Sequence, residues 1–69
     1  MATNNDIGFL LSSSSHNTVA SNVAHDNIDE GFRLAAGSDD NLLQNNSAYN
    51  QLYYGFYLFD NSGNRLIAN

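Results

Sequence analysis

Two small groups of residues in this chain have the types and spacing to do chemistry. The first is His16, Asp39 and Asp40. His16 and Asp40 stand 24 residues apart, with Asp39 beside Asp40, and imidazole with carboxylate oxygens is a donor set that transition metals accept. The second is Asp29, Glu30, Arg33, Tyr53, Tyr54 and Tyr57. Here too 24 residues separate Asp29 from Tyr53, Glu30 from Tyr54 and Arg33 from Tyr57. Carboxylates, a guanidinium and phenol rings on one face can grip a sugar by stacking and hydrogen bonding. The same groups can serve acid–base work if a base reaches a substrate proton. His25 and Asp26 are adjacent, so on an extended chain they point opposite ways and make a poor chelate. Both groups therefore depend on an architecture that lays residues 24 apart side by side.

Composition bounds that architecture. A chain of 69 residues is at most one small domain, of a size that buries only about 60% of its unfolded surface. Chains this small lean on disulfides, metals or partners. There is no cysteine, which excludes disulfides and leaves the redox compartment unread. Two Arg, no Lys and seven acidic residues give a net charge of −5, which argues against nucleic acid and anionic membrane surfaces as partners. No apolar run approaches the roughly 20 residues of a membrane-spanning helix. The opening "MATNNDIGFLLSSSS" lacks a basic n-region and a long apolar core, so it does not read as a signal peptide. Proline is absent, while twelve Asn and eight Ser favour turns over helices. Four Phe and four Tyr, regularly placed, argue against disorder.

The regularity is a repeat. "GFLL" begins at Gly8, "GFRL" at Gly31 and "GFYL" at Gly55. A second frame, "NTVASN", "NLLQNN" and "NRLIAN", begins at Asn17, Asn41 and Asn64. The steps between copies are 23 then 24 residues in the first frame and 24 then 23 in the second. One extra residue therefore sits in "AAGSDD" (35–40), where a turn absorbs it. Phe9 and Leu11, Phe32 and Leu34, and Phe56 and Leu58 alternate with Leu10, Arg33 and Tyr57, the pattern of a strand with one buried face. A second short strand centres on Val19, Leu43 and Leu66. A third is expected through Ala24 and Ile28, matched by Ala48 and Leu52.

Three short strands per copy cannot bury an apolar face alone, but copies can stack. A leucine-rich repeat would place Leu where Asn17, Asn41 and Asn64 stand, and no segment here has helical periodicity. The spacing instead predicts an all-β, right-handed parallel β-helix with coils over 8–30, 31–54 and an incomplete 55–69. Strands would lie about 4.8 Å apart. Phe9, Phe32 and Phe56 would form one inward column and Leu11, Leu34 and Leu58 another. Asn17, Asn41, Asn64 and Asn22, Asn46, Asn69 would form two ladders at turns, since Asn tolerates left-handed backbone and its amide bonds the amides above and below. The copies carry no cap at either end, which reads as a slice of a longer solenoid.

"GFLLSSSSHNTVASNVAHDN", "GFRLAAGSDDNLLQNNSAYN" and "GFYLFDNSGNRLIAN" resemble the G-[IF]-x-L-x-x-S-x-x-N-x-[IVL]-x-x-N repeats of right-handed β-helix proteins. The resemblance is to the NosD-type periplasmic β-helices and to β-helix domains of carbohydrate-binding and sugar-hydrolysing proteins, and it runs from Ile7 to Asn69. It implies a periplasmic or extracellular protein, and a scaffold or carbohydrate-binding surface. Alternatively it implies a piece of a polysaccharide lyase or uronate epimerase, or a NosD-type partner in copper-site maturation. The motif residues themselves are core and turn, and a fold does not carry a function.

Each group of residues then has a place in the expected coils. His16 and Asp40 fall at equivalent turn positions, where a bridging cation competes with the plainer reading of solvated turn residues. Cys is absent and Met1 is the only Met, so soft copper ligands are scarce. Arg33, Tyr53, Tyr54, Tyr57, Asp29 and Glu30 fall on or beside an outward strand face, where polysaccharide is the expected partner. The Asp, Pro and His cluster of β-helix epimerases is missing, so no complete catalytic site is expected in these residues and no cofactor is implied beyond a metal ion. Strand edges left open at the two ends would recruit neighbouring coils or further copies of the chain.

Overall fold

Period-two alternation in the three "GF" segments gives the longest strands, and the structure, a computed structural model describing residues 1–69, stacks them directly on one another. In chain order the strands are β1 (Ala2–Thr3), β2 (Ile7–Ser12), β3 (Thr18–Ala20), β4 (Val23–His25), β5 (Glu30–Ala35), β6 (Leu42–Gln44), β7 (Ser47–Tyr49), β8 (Tyr54–Leu58) and β9 (Arg65–Ile67). They form three parallel sheets, β1-β4-β7, β2-β5-β8 and β3-β6-β9. Every strand pairs with its equivalent one coil on, which is a parallel β-helix of three strands per coil. There is no helix.

Register follows the repeat. Phe9 pairs with Phe32 and Phe32 with Phe56, while Leu11, Leu34 and Leu58 align, as do Val19, Leu43 and Leu66. The three Phe rings stack with centroids 4.8 Å apart at each step, which is the strand spacing itself. The fully buried apolar core is small: Ala24, Phe32, Leu34 and Leu43. Gly8 and Gly31 are fixed by close approach. A Cβ on Gly8 would sit 2.6 Å from the Gly31 carbonyl oxygen, and one on Gly31 2.8 Å from that of Gly55. Both would also press on the Ala24–Ala48 column, at 3.0 Å. The glycines face inward, as Phe32 does, so the strand turns a corner there and Glu30 comes onto the same outward side as Arg33.

The corners differ from the sequence reading in two respects. Left-handed backbone is not supplied by the framed asparagines but by the residue before each one. His16, Asp40 and Gly63 precede one column and Ser21, Asn45 and Ala68 the other, all at positive φ. Two further columns at positive φ, Asn4–Asp26–Asn50 and Ser13–Ala36–Asp60, make the remaining bends. The asparagines then turn inward and serve the backbone. Asn41 Oδ1 accepts the Asn17 N–H (2.7 Å) and its Nδ2 donates to the Ser14 carbonyl (3.0 Å). Asn46 accepts from the Asn22 N–H (2.9 Å) and donates to the Val19 carbonyl (2.8 Å). Asn64 and Asn69 repeat this toward the central coil.

The second difference is that the third strand stops at His25 and Tyr49. Ile28 and Leu52 are exposed. The inward residues at that corner are Asn27 and Gln51, whose amides bond to each other (3.1 Å) and to the backbone one coil back. Ser38 supplies a fourth polar column, fully buried, with its hydroxyl meeting the Ala35 and Leu11 carbonyls and the Ser14 N–H. The extra residue of the second coil is Gly37, a bulge at φ 73° with open space around it. The strands on either side of it remain in register.

Candidate functional site

The outward face of β2-β5-β8 carries the richest chemistry. Leu10, Arg33 and Tyr57 align across it. Arg33 Nε lies 2.9 Å from Glu30 Oε1, an i,i+3 pair in which Glu30 is buried and Arg33 over a third exposed. Glu30 Oε1 nonetheless accepts no hydrogen bond. The contact is therefore an ion pair with the N–H aimed off the line, and it neutralises the one cation on this face. The Arg33 guanidinium also lies over the Tyr57 ring, 5.6 Å from its centroid, a cation–π distance.

Tyr57 belongs to a row of rings. Tyr54 stacks on it at 5.1 Å and Phe59 at 6.2 Å, both with planes within 12°. Tyr57 thus stands between partners, while Tyr54 and Phe59, each stacked on Tyr57, are more than half exposed. Arg33, Ala35, Tyr57 and Phe59 line a groove of about 350 Å³. Phe59 was not picked out from the sequence, although its place two residues after Tyr57 puts it on the same side of an extended chain. Tyr53 is exposed at the preceding corner, where its N–H and that of Tyr54 both lie 3.2 Å from the Asp29 carbonyl. The Asp29 N–H in turn donates to the Asp6 carbonyl at 2.7 Å. Asp29 serves the coil here through its backbone.

The other candidates separate. His16 and Asp40 occupy one turn column, but no three His, Asp or Glu side chains come together anywhere in the chain. Asp39 Oδ1 instead accepts the Ser62 N–H at 2.8 Å, so the expected His16–Asp39–Asp40 cation site is not assembled. His25 and Asp26, expected to diverge, meet at 2.6 Å between Nδ1 and Oδ2. The reason is the left-handed backbone at Asp26, which ends the alternation of an extended strand. The His25 ring also stacks on Tyr49 at 4.8 Å. A concavity of about 400 Å³ beside them is lined by Asp26, Asn27, Ile28, Asn50, Gln51 and Leu52. It is larger than the aromatic groove, but its one ionisable group, Asp26, is already engaged.

A three-sided coil of short parallel strands, with amide-lined corners and an aromatic outward face, defines the chain as a parallel β-helix repeat protein. The family model described as periplasmic copper-binding protein (NosD) matches residues 1–69, and the chain belongs to that family. No curated protein and no solved structure is matched. The copper of the family's description does not fit the donors present. There is no Cys, Met1 is exposed at a chain end, and the one close donor pair, His25–Asp26, has no third ligand beside it.

Proposed function

We propose that this chain is a non-catalytic β-helix segment of a periplasmic protein, a scaffold that presents the Arg33, Tyr54, Tyr57 and Phe59 strip to carbohydrate. The observation that carries the reading is the row of three near-parallel rings beside the Arg33 groove. The exposed rings of Tyr54 and Phe59 suit the apolar face of a sugar ring. The Arg33 terminal nitrogens, not used by the Glu30 contact, suit its hydroxyls. Because Glu30 neutralises Arg33 and the chain carries a net charge of −5, neutral glycans are favoured over uronates. The same neutralisation weighs against a lyase or epimerase site on this face, which needs cationic or metal support for the uronate carboxylate and a free base.

The test is a glycan array of neutral and uronate-containing polysaccharides probed with wild type, Tyr54→Ala, Tyr57→Ala and Phe59→Ala. Binding to neutral glycans that weakens in all three variants supports the strip, whereas binding unchanged in all three removes it. Copper(II) titration belongs beside it, because of the family's description. With donors this scattered, affinity weaker than about millimolar is expected. A roughly micromolar site, near −8 kcal/mol, lost in His16→Ala or His25→Ala would replace the carbohydrate reading.

A further inference from the structure

The corner between β4 and β5 is repeated between β7 and β8, and the two stacked corners form a concavity that the aromatic strip does not use. Its volume is about 400 Å³, at the small end of the range for ligand pockets, about 300 to 1,000 Å³. Asn27 and Gln51 line it but are committed, since their amides bond to each other and to the backbone. Four outward residues are left to meet a ligand, Asp26 and Asn50 in one column and Ile28 and Leu52 in another. Ile28 has a bonded coil on each side of its corner and is still 53% exposed. Its exposure therefore comes from its outward direction. Leu52 repeats the position in the next coil and is also exposed.

Asp26 gives only Oδ2 to His25, and half of its side chain is exposed, so Oδ1 is open to another donor. A neutral imidazole donating its Nδ1–H leaves the carboxylate charge uncancelled. Asn50 has the same left-handed backbone one coil on, φ 60° against 57°, and its amide is exposed. Asp6 and Asp29 add two carboxylates at this corner, joined by the bond from the Asp29 N–H to the Asp6 carbonyl. Neither arginine lies there, since Arg33 is paired with Glu30 and Arg65 begins β9. Apolar walls with a carboxylate and an amide suit a cation on an aliphatic stem. Lysine is that group. Its stem can lie along Ile28 and Leu52 while its ammonium donates to Asp26 Oδ1 and the Asn50 side-chain oxygen. Exposed Tyr49 and Tyr53 continue the apolar surface on either side, so it is longer than one side chain. We infer that this corner docks a segment of a partner protein that carries a lysine between apolar residues. The local carboxylates and the net charge of −5 repel anionic segments.

NMR titration of the isotope-labelled chain with the peptide acetyl-Gly-Leu-Lys-Leu-Gly-amide tests this. Amide shifts should concentrate at 26–28 and 50–52, and added salt should weaken the binding. Asp26→Asn should weaken it at least about threefold, the scale of an exposed ion pair. Ile28→Ser/Leu52→Ser, at two exposed positions, should weaken it at least about fivefold through lost apolar contact. The amide spectrum of each variant reports its fold in the same experiment, and the wild-type map stands without them. Shifts centred elsewhere overturn the inference, as does equal binding of the peptide with Glu in place of Lys. So does n-butylammonium that binds as tightly as the peptide, since the corner would then be a small-amine site. A folded Asp26→Asn variant that binds as wild type does also overturns it.

Discussion

At the residue scale, one residue type has opposite consequences according to its coil. Asn41 is 1% exposed and serves both a donor and an acceptor of the first coil. Asn17, at the equivalent position, has nothing on its side chain to serve. We expect Asn41→Ala to cost about 1 to 3 kcal/mol, the range for polar groups left without a partner. Asn17→Ala should stay within about 0.5 kcal/mol. Urea unfolding of the two variants checks this, and equal losses would count against the directional bonding. The framing glycines divide similarly. Gly31→Ala should cost about 1 to 3 kcal/mol by overpacking, because its Cβ meets the Gly55 carbonyl oxygen and Ala48. Gly55→Ala should be milder, since its nearest neighbour lies at 3.4 Å. Thermal melts that rank the two the other way would refute the close-approach explanation.

At the element scale, Gly37 is a single extra residue in an exposed bulge, with hydrogen bonds that re-form on either side of it. Its deletion should leave the β2-β5-β8 and β3-β6-β9 registers intact and change stability by less than about 1 kcal/mol, as indels at exposed turns do. Deleting Leu42 removes one residue from a three-residue strand and turns Leu43 from core to solvent, so it should abolish the cooperative transition. Circular dichroism melts of the two deletions decide the point. The same contrast shows what the sequence made legible. Five- and six-residue strands such as β5 and β8 display their inward face by alternation, and "AAGSDD" announces its extra residue by the change in repeat step. Three-residue strands carry no period, so nothing in the sequence marks where β4 stops, and apolarity alone carries the expected strand on to Ile28. The bends were hidden for another reason. The residues at positive φ are Ser, His, Asp, Asn, Ala and Gly, a set with no common side chain, while the conspicuous asparagines sit one place further on. The aromatic strip was half legible: Arg33, Tyr54 and Tyr57 followed from the period. The ion pair to Glu30 depended on a corner at Gly31 that only the packed glycine reveals.

At the scale of the whole molecule, all ten buried residues lie between Ala24 and Asn46, in the stretch that has a neighbouring coil on both sides. The outer coils contribute partners to that core, such as Phe9, Leu11 and Phe56, but each leaves one face open. Stability in a stacked repeat is a sum of nearest-neighbour terms, so the central coil should open last. Amide exchange should be slowest for β5 and β6 and fastest for β1 and β9, with the difference approaching the full unfolding free energy. The same asymmetry sorts the phenylalanines. Phe32, 1% exposed and stacked on both faces, should lose about 3 to 5 kcal/mol on change to Ala, enough to unfold so small a domain. Phe9→Ala and Phe56→Ala each give up a single stacked partner and should leave a measurable, lowered transition. Exchange that is uniform along the chain, or a Phe9→Ala variant as unfolded as Phe32→Ala, would mean that the coils do not stabilise one another in nearest-neighbour fashion.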